Sequence, residues 1–231
     1  MTETVQPGTL YIVSTPIGNL DDITLRAIKI LGDVDLVAAE DTRKTKFLLG
    51  HFSIKKPLLS YYSYNETRRL PELIGHLRDG KSIAVVTDAG TPGISDPAYL
   101  IIKHAIEHGY DVIPVPGASA VLAGLIASGL PTNRFVFEGF LPLKKGRKTR
   151  LEELRSEQRT IIIYESPFRV VKTVEDIQSH LGDRRIAVAR EITKKFEEVL
   201  RGRITEVLDE LRKKPPKGEI VLVVEGSSKA D

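Results

Sequence analysis

The chain of 231 residues contains no cysteine. Disulfide staples, thiolate nucleophiles, iron–sulfur clusters and cysteine-ligated zinc are therefore excluded. Long hydrophobic runs are missing too: none approaches the roughly 18 residues that span a bilayer, so no membrane span is expected. Met1–Gly8 has no apolar stretch and carries Glu3, which reads as the absence of a secretory signal and a cytoplasmic chain. No G-x-x-x-x-G-K-[ST] loop occurs, and no G-x-G-x-x-G follows the first strand-like run. A P-loop nucleotidase and an NAD-type oxidoreductase are thereby disfavoured. Among the histidines, His104 and His108 have the i, i+4 spacing of a zinc pair. Ala105 stands where H-E-x-x-H needs glutamate, so an exposed helix face is the better reading and no metal is expected. Ser119 lies in Gly-Ala-Ser-Ala-Val, not G-x-S-x-G. There is no repeat and no low-complexity tract; only Gly226–Asp231 reads as a frayed tail.

What is present suits a globular protein. Hydrophobic residues are 41% and charged residues 28% of the chain, enough for a real core. At about 150 residues per domain, the length allows one large domain or two small ones. Net charge is +3, unevenly placed: 12 basic and 14 acidic residues lie up to Pro116, leaving 22 and 17 beyond it. The basic excess belongs to the C-terminal half, a hint of a polyanionic partner there.

Up to Pro116, strand-like runs (Thr9–Ser14, Leu36–Ala39, Ile83–Val86, Val112–Val115) alternate with helix-like ones (Ile23–Leu31, Arg43–Leu49, Arg68–Arg78, Ala98–His108). The strands are short and apolar on both faces, as in a parallel sheet covered on each side. Asp21 or Asp22 is the expected N-cap of the first helix. A second α/β unit follows, with strands at Phe135–Phe137, Thr160–Tyr164, Arg185–Ala189, Glu198–Arg201 and Glu219–Val224. Its helices are expected at Ala118–Ser128, Arg147–Glu157, Arg169–Leu181 and Ile204–Lys213. Several of these strands are joined by short turns, which predicts a mixed sheet. The domains are placed at 1–116 and 117–231.

Ligands of open α/β sheets bind outside the carboxyl ends of the strands. Here those ends run into Ser14–Asn19, Glu40–Arg43, Thr87–Asp96 and Pro116–Ala120, all small, turn-forming or acidic. Turns are often so composed, but four in succession point to a cofactor cleft. Two further segments stand out. Tyr61–Glu66 holds three tyrosines, faces for stacking unpaired bases if exposed. Phe140–Arg150 carries Lys144, Lys145, Arg147, Lys148 and Arg150 with no acid, and follows aromatic residues; it reads as a phosphate-contacting loop.

The segments Gly8–Ala27, Ala39–Arg43, Thr87–Pro97, Val115–Ser119, Gly129–Thr132, Phe137–Pro142, Tyr164–Arg169 and Ala189–Glu191 match, in order, the tetrapyrrole-methylase superfamily. Within it they resemble the branch that methylates small-subunit ribosomal RNA. One departure is Tyr62-Ser63-Tyr64, where the family often has histidine before Asn-Glu. The resemblance implies two α/β domains with S-adenosylmethionine in a cleft between them, and a homodimer. It also implies methylation of the ribose 2′-hydroxyl of a decoding-centre cytidine in 16S rRNA, within the small ribosomal subunit. Cofactor contacts are implied at Pro16, Ile17, Ala89, Gly90, Thr91, Ile94, Ser119, Ala120 and near Glu165.

Methyl transfer from a sulfonium is an in-line displacement and rests mainly on alignment. A ribose hydroxyl is a poor nucleophile, so a carboxylate that takes its proton is expected. Glu40, Asp41 and Glu66 are the candidates, with Arg43 and Asn65 positioning substrate. For Asp41 and Arg43, helix capping and a structural ion pair are an equal alternative. Rival readings are a tetrapyrrole or other non-RNA acceptor, and a non-enzymatic ribosome-assembly factor that binds RNA.

Overall fold

The computed structural model describes residues 5–228. The expected tail at Gly226–Asp231 therefore lies partly outside the described residues, as does the start of Met1–Gly8. The chain divides into two compact units, Met1–Ser119 and Ala120–Asp231; the division falls three residues beyond the expected boundary.

In the first unit, strands β1 (Leu10–Val13), β2 (Leu36–Ala39), β3 (Leu58–Ser60), β4 (Ile83–Val86) and β5 (Val112–Val115) form one sheet in the order β3-β2-β4-β1-β5. Every neighbouring pair is parallel. Helices α1 (Leu25–Asp33), α2 (Thr42–His51), α3 (Glu66–Arg78) and α4 (Tyr99–Glu107) connect them. Because side chains alternate along a strand, each strand feeds two cores. Leu10, Ile12, Ala38, Ile83 and Val85 pack with α3 and α4 through Leu73, Leu77, Ile101 and Ala105. Tyr11, Val13, Val37, Ala39, Ala84 and Val86 pack with α1 and α2 through Ala27, Ile30, Leu31 and Leu49. This double burial is why the strands read as unbroken apolar runs.

Two expectations are corrected here. The N-cap of α1 is Thr24, whose hydroxyl accepts from the Ala27 amide; Asp21 and Asp22 belong to a preceding 3-10 turn, where the Asn19 side chain accepts from the Asp21 amide. And β3 was not expected at all. It is three residues long, half-buried, and defined by its pairing with β2.

In the second unit, β6 (Phe135–Phe140), β7 (Thr160–Glu165), β8 (Arg185–Arg190), β9 (Glu198–Arg203) and β10 (Ile220–Val224) form a sheet in the order β6-β7-β10-β8-β9. β6 and β7 are parallel and the other pairs antiparallel, so the sheet is mixed as expected. Helix α5 (Ala120–Ser128) packs on one face, where Gly124 lets it approach: a Cβ there would meet Val221 at 2.9 Å. Helices α6 (Arg147–Leu154), α7 (Val170–Leu181) and α8 (Ile204–Lys213) cover the other face. Strand β6 runs three residues past its expected end. It does so through a register shift between Phe137 and Phe140, where Gly139 adopts a left-handed backbone with φ 60°.

Candidate active site

All five strands of the first sheet are parallel, so their following loops gather along one edge. In sheet order these are Tyr61–Glu66, Glu40–Asp41, Thr87–Asp96, Ser14–Asn19 and Pro116–Ser119. The connection leaving β1 runs towards β2 over one face, and that leaving β4 runs towards β5 over the other. Adjacent strands whose connections diverge in this way make the switch point at which open α/β sheets bind ligands. It lies between Ser14–Asn19 and Thr87–Asp96, the two loops that hold Pro16, Ile17, Ala89, Gly90, Thr91 and Ile94.

Those loops are laced together. Thr15 and Gly90 exchange two backbone hydrogen bonds, of 2.9 and 3.1 Å, in an isolated antiparallel bridge. The Ser14 and Thr91 hydroxyls lie 2.9 Å apart, and the Thr15 hydroxyl donates to the Thr87 carbonyl at 3.1 Å. Gly90 has φ +85°, a conformation that glycine adopts without strain. Gly117, after β5, leaves no room for a side chain: a Cβ would lie 2.9 Å from Ser14 Cβ. Pro16 and Ile17 are buried along this edge, whereas Ala89 and Ile94 are exposed. Ser119 ends the first unit and Ala120 opens α5 in the second.

Beside the switch point sits a group of carboxylates. Glu40 accepts from the Thr87 hydroxyl at 2.6 Å and from the Asp88 amide at 3.2 Å, both through Oε2. Asp88 accepts from the Asp41 amide and from Lys44 Nζ, at 3.1 and 2.7 Å, and this pairing raises the affinity of Lys44 for its proton. Asp41 caps α2 through the Arg43 amide and is gripped by the Arg43 guanidinium at 3.1 and 2.7 Å. Hydrogen bonds from Arg43 hold the Asp41 carboxyl far below the usual carboxylate range, which makes it a poor proton acceptor. Asp96 behaves oppositely: burial, and then the charge of Glu40, raise its pKa. Asp88 and Asp96 lie within the matched motif but are not among the expected proton acceptors, because only the pairing of β2 with β4 sets them directly beside Glu40.

At the end of β3 the structure turns Asn65 inward, a correction to its expected substrate contact. Its carbonyl accepts from the Tyr62 amide at 2.8 Å and its amide donates to the Ser60 carbonyl at 3.1 Å. Asn65 thus holds the loop that presents Tyr62 and the fully projecting Tyr64, whose rings meet edge-on. Tyr61 is buried, and burial pushes its hydroxyl up to about 12. Glu66 is half-buried in the first turn of α3.

In the second unit the Glu165 carboxylate is completely buried at the end of β7. One oxygen accepts from the Ser166 amide (2.7 Å) and Arg169 Nε (2.8 Å), the other from Arg169 Nη2 (2.9 Å) and Thr173 Oγ1 (2.6 Å). Its side chain is thus spent on the β7–α7 junction, not turned to a ligand. Arg147 is likewise corrected: it is tied to Asp176 (2.9 Å), the Thr173 hydroxyl (2.8 Å) and the Pro142 carbonyl (3.2 Å). Lys144, Lys145 and Lys148 remain exposed. Phe137 and Phe140 pack edge-on against Tyr164, with centroids 4.9 and 5.7 Å away. Among the described residues, no group of three or more histidines and carboxylates is placed to hold a metal ion, and no helix is long and apolar enough to cross a membrane.

The sequence model for the tetrapyrrole (corrin/porphyrin) methylases matches residues 9–228. The chain belongs to the tetrapyrrole methylase family. Among curated members, the ribosomal RNA small subunit methyltransferase I of Halalkalibacterium halodurans is 50% identical over 221 residues, spanning 95% of this chain and 76% of its own. The enzyme of the same name from Thermotoga maritima is 47% identical over 219 residues, spanning 95% of this chain and 99% of its own. The fold also matches uroporphyrin-III C-methyltransferase from Thermus thermophilus, solved with S-adenosyl homocysteine. The TM-score is 0.65 at 19% identity, covering 94% and 97% of the two chains. The two-sheet architecture described above is thus that of the tetrapyrrole methylases.

Proposed function

We propose that this chain transfers a methyl group from S-adenosylmethionine to the ribose 2′-hydroxyl of a decoding-centre cytidine in 16S rRNA. The observation that carries the reading is near-half identity, over almost the whole chain, to proteins named as small-subunit rRNA methyltransferases. The cofactor supplies an electrophilic methyl carbon and a neutral thioether leaving group. The switch-point edge suits such a group: its backbone is laced in place, Gly90 and Gly117 keep it free of side chains, and exposed Ile94 offers an apolar surface. Pro16, Ile17, Ala89, Gly90, Thr91, Ile94 and Ser119 would hold the cofactor.

Within the carboxylate group, Glu40 is the proton acceptor of choice. Its Oε1 carries no hydrogen bond among the described residues, while Thr87 and the Asp88 amide orient it through Oε2. Asp41 and Arg43 neutralise each other beside it, and Glu66 lies at the neighbouring loop end. The projecting tyrosines of the β3 loop and the lysines of the β6–α6 loop would contact RNA. The protein would act in the cytoplasm as a homodimer on the small ribosomal subunit. The test is methylation of small subunits with labelled cofactor, followed by mapping of the modified nucleotide. Label on a base, or at a site remote from the decoding centre, overturns the reading. Glu40→Gln should lower single-turnover methylation by about 10²-fold or more with unchanged cofactor affinity.

A further inference from the structure

The second unit carries a row of arginines that the methyl-transfer site leaves unused. At one end of its sheet, opposite the end where Glu165 lies, each strand starts or finishes on a polar residue. In sheet order these are Arg134 before β6, Arg159 before β7, Glu225 after β10, Arg185 opening β8 and Arg203 closing β9. They line a cavity of about 780 Å³ that Asn133, Gln158 and Ser227 also border. With Glu157 also in the lining, four cations face two carboxylates, a net excess of two positive charges.

The local pairing does not account for this charge. Arg185 and Arg203 are direct cross-strand partners, an arrangement of like charges that works against the sheet. Arg159 is forked on Glu157, and Arg203 donates to the Asp183 carbonyl. The exposed side chains of Arg134 and Arg185 have no hydrogen bond or ion pair among the described residues. Behind them, half-buried Arg184 spends its guanidinium on the carbonyls of Leu181, Glu225 and Arg155, adding charge without a carboxylate bound to it. Repulsion retained at a strand pair, beside two uncommitted guanidiniums, is what an anion-binding surface requires before its anion arrives.

The length of the row says which anion. Five strands with about 4.8 Å between neighbours set Arg134 and Arg203 roughly 19 Å apart, too far for one phosphate and suited to several along a chain. We infer that this row binds the phosphodiester backbone of RNA, as a contact separate from the lysines of the β6–α6 loop at the other end of β6. The inference rests on the proposed rRNA reading and adds where on the second unit the RNA is held.

The test compares the full chain with the double variant Arg134→Gln/Arg185→Gln in filter binding to naked 16S rRNA and to small subunits, from 0.05 to 0.5 M salt. Neither side chain holds the fold, so thermal midpoints should match. Two lost phosphate contacts should reduce the salt slope by about 1.4 to 1.8 and weaken binding about 30-fold at 0.1 M salt. Arg134→Lys/Arg185→Lys should restore the slope. Unchanged affinity and slope in the glutamine variant overturn the inference and leave the rRNA reading standing. Weaker binding to subunits alone, with naked rRNA unaffected, also overturns it and assigns the row to an acidic protein surface. A wild-type chain that binds neither RNA nor subunit overturns both readings together.

Discussion

Replacing Glu165 by glutamine separates a ligand contact from a structural one. The wild-type carboxylate is completely buried and accepts four hydrogen bonds, two of them from Arg169, whose side chain is 29% exposed. Glutamine removes the charge and turns an NH2 group towards donors, of which only Arg169 has a second outlet, in water and the Leu141 carbonyl. Breaking a buried ion pair from one side costs about 3–5 kcal/mol. Partial exposure of Arg169 lowers this to about 2–4 kcal/mol, because water can solvate the orphaned guanidinium in part. For a unit the size of Ala120–Asp231, each kcal/mol moves the melting point by roughly 4 °C, so a fall of about 8–16 °C is expected by calorimetry. Cofactor affinity, titrated well below the melting onset, should change little. The companion Glu165→Gln/Arg169→Met, which removes both charges, should recover part of the loss. A variant that melts at the wild-type temperature yet loses cofactor affinity tenfold would refute the argument and return the carboxylate to the ligand.

Other expectations follow from equally local features. Gly117→Ala forces a Cβ to within 2.9 Å of Ser14 Cβ and should cost about 1–3 kcal/mol with weaker cofactor binding. Gly32→Ala, inside α1 with open space around it, should instead stabilise by about 0.5–1 kcal/mol; chemical denaturation compares the two. The Arg159 fork pulls the Glu157 carboxyl from 4.5 down to about 2, so its stabilisation is complete above about pH 4.5 and lost as pH falls towards 2. Arg159→Gln should therefore be less stable than wild type at pH 6 and converge with it as pH falls below about 2 in acid-denaturation curves. Neutralising Lys144, Lys145 and Lys148 should lower the salt slope of rRNA binding by about 2 to 3 without disturbing the fold. Adding Arg147→Gln should cost stability as well, because Arg147 anchors α6 to Asp176.

The central strands were legible because burial on both faces leaves a short apolar run that few other elements share, as in Leu36–Ala39 and Ile83–Val86. Leu58–Ser60 was not, since three half-buried residues after Pro57 have no pattern until β2 pairs with them. The cap of α1 was misassigned for a related reason. Asp21, Asp22 and Thr24 are all capping residue types, and only the 3-10 turn ahead of the helix decides among them. Site residues divide the same way. Loops at strand ends follow from strand order and chemistry, so the Ser14–Asn19 and Thr87–Asp96 pair could be anticipated. Whether a polar side chain in such a loop faces inward depends on partners far along the chain. Asp176, 29 residues from Arg147, is such a partner. Residue type and position alone are the same for Arg147, held in place, as for Lys148, left in solvent.

The bridge that joins Thr15 to Gly90 has a kinetic consequence. Loops already stitched by two backbone bonds have little freedom left to surrender when a ligand arrives, so the entropic toll of docking is small and association should be fast.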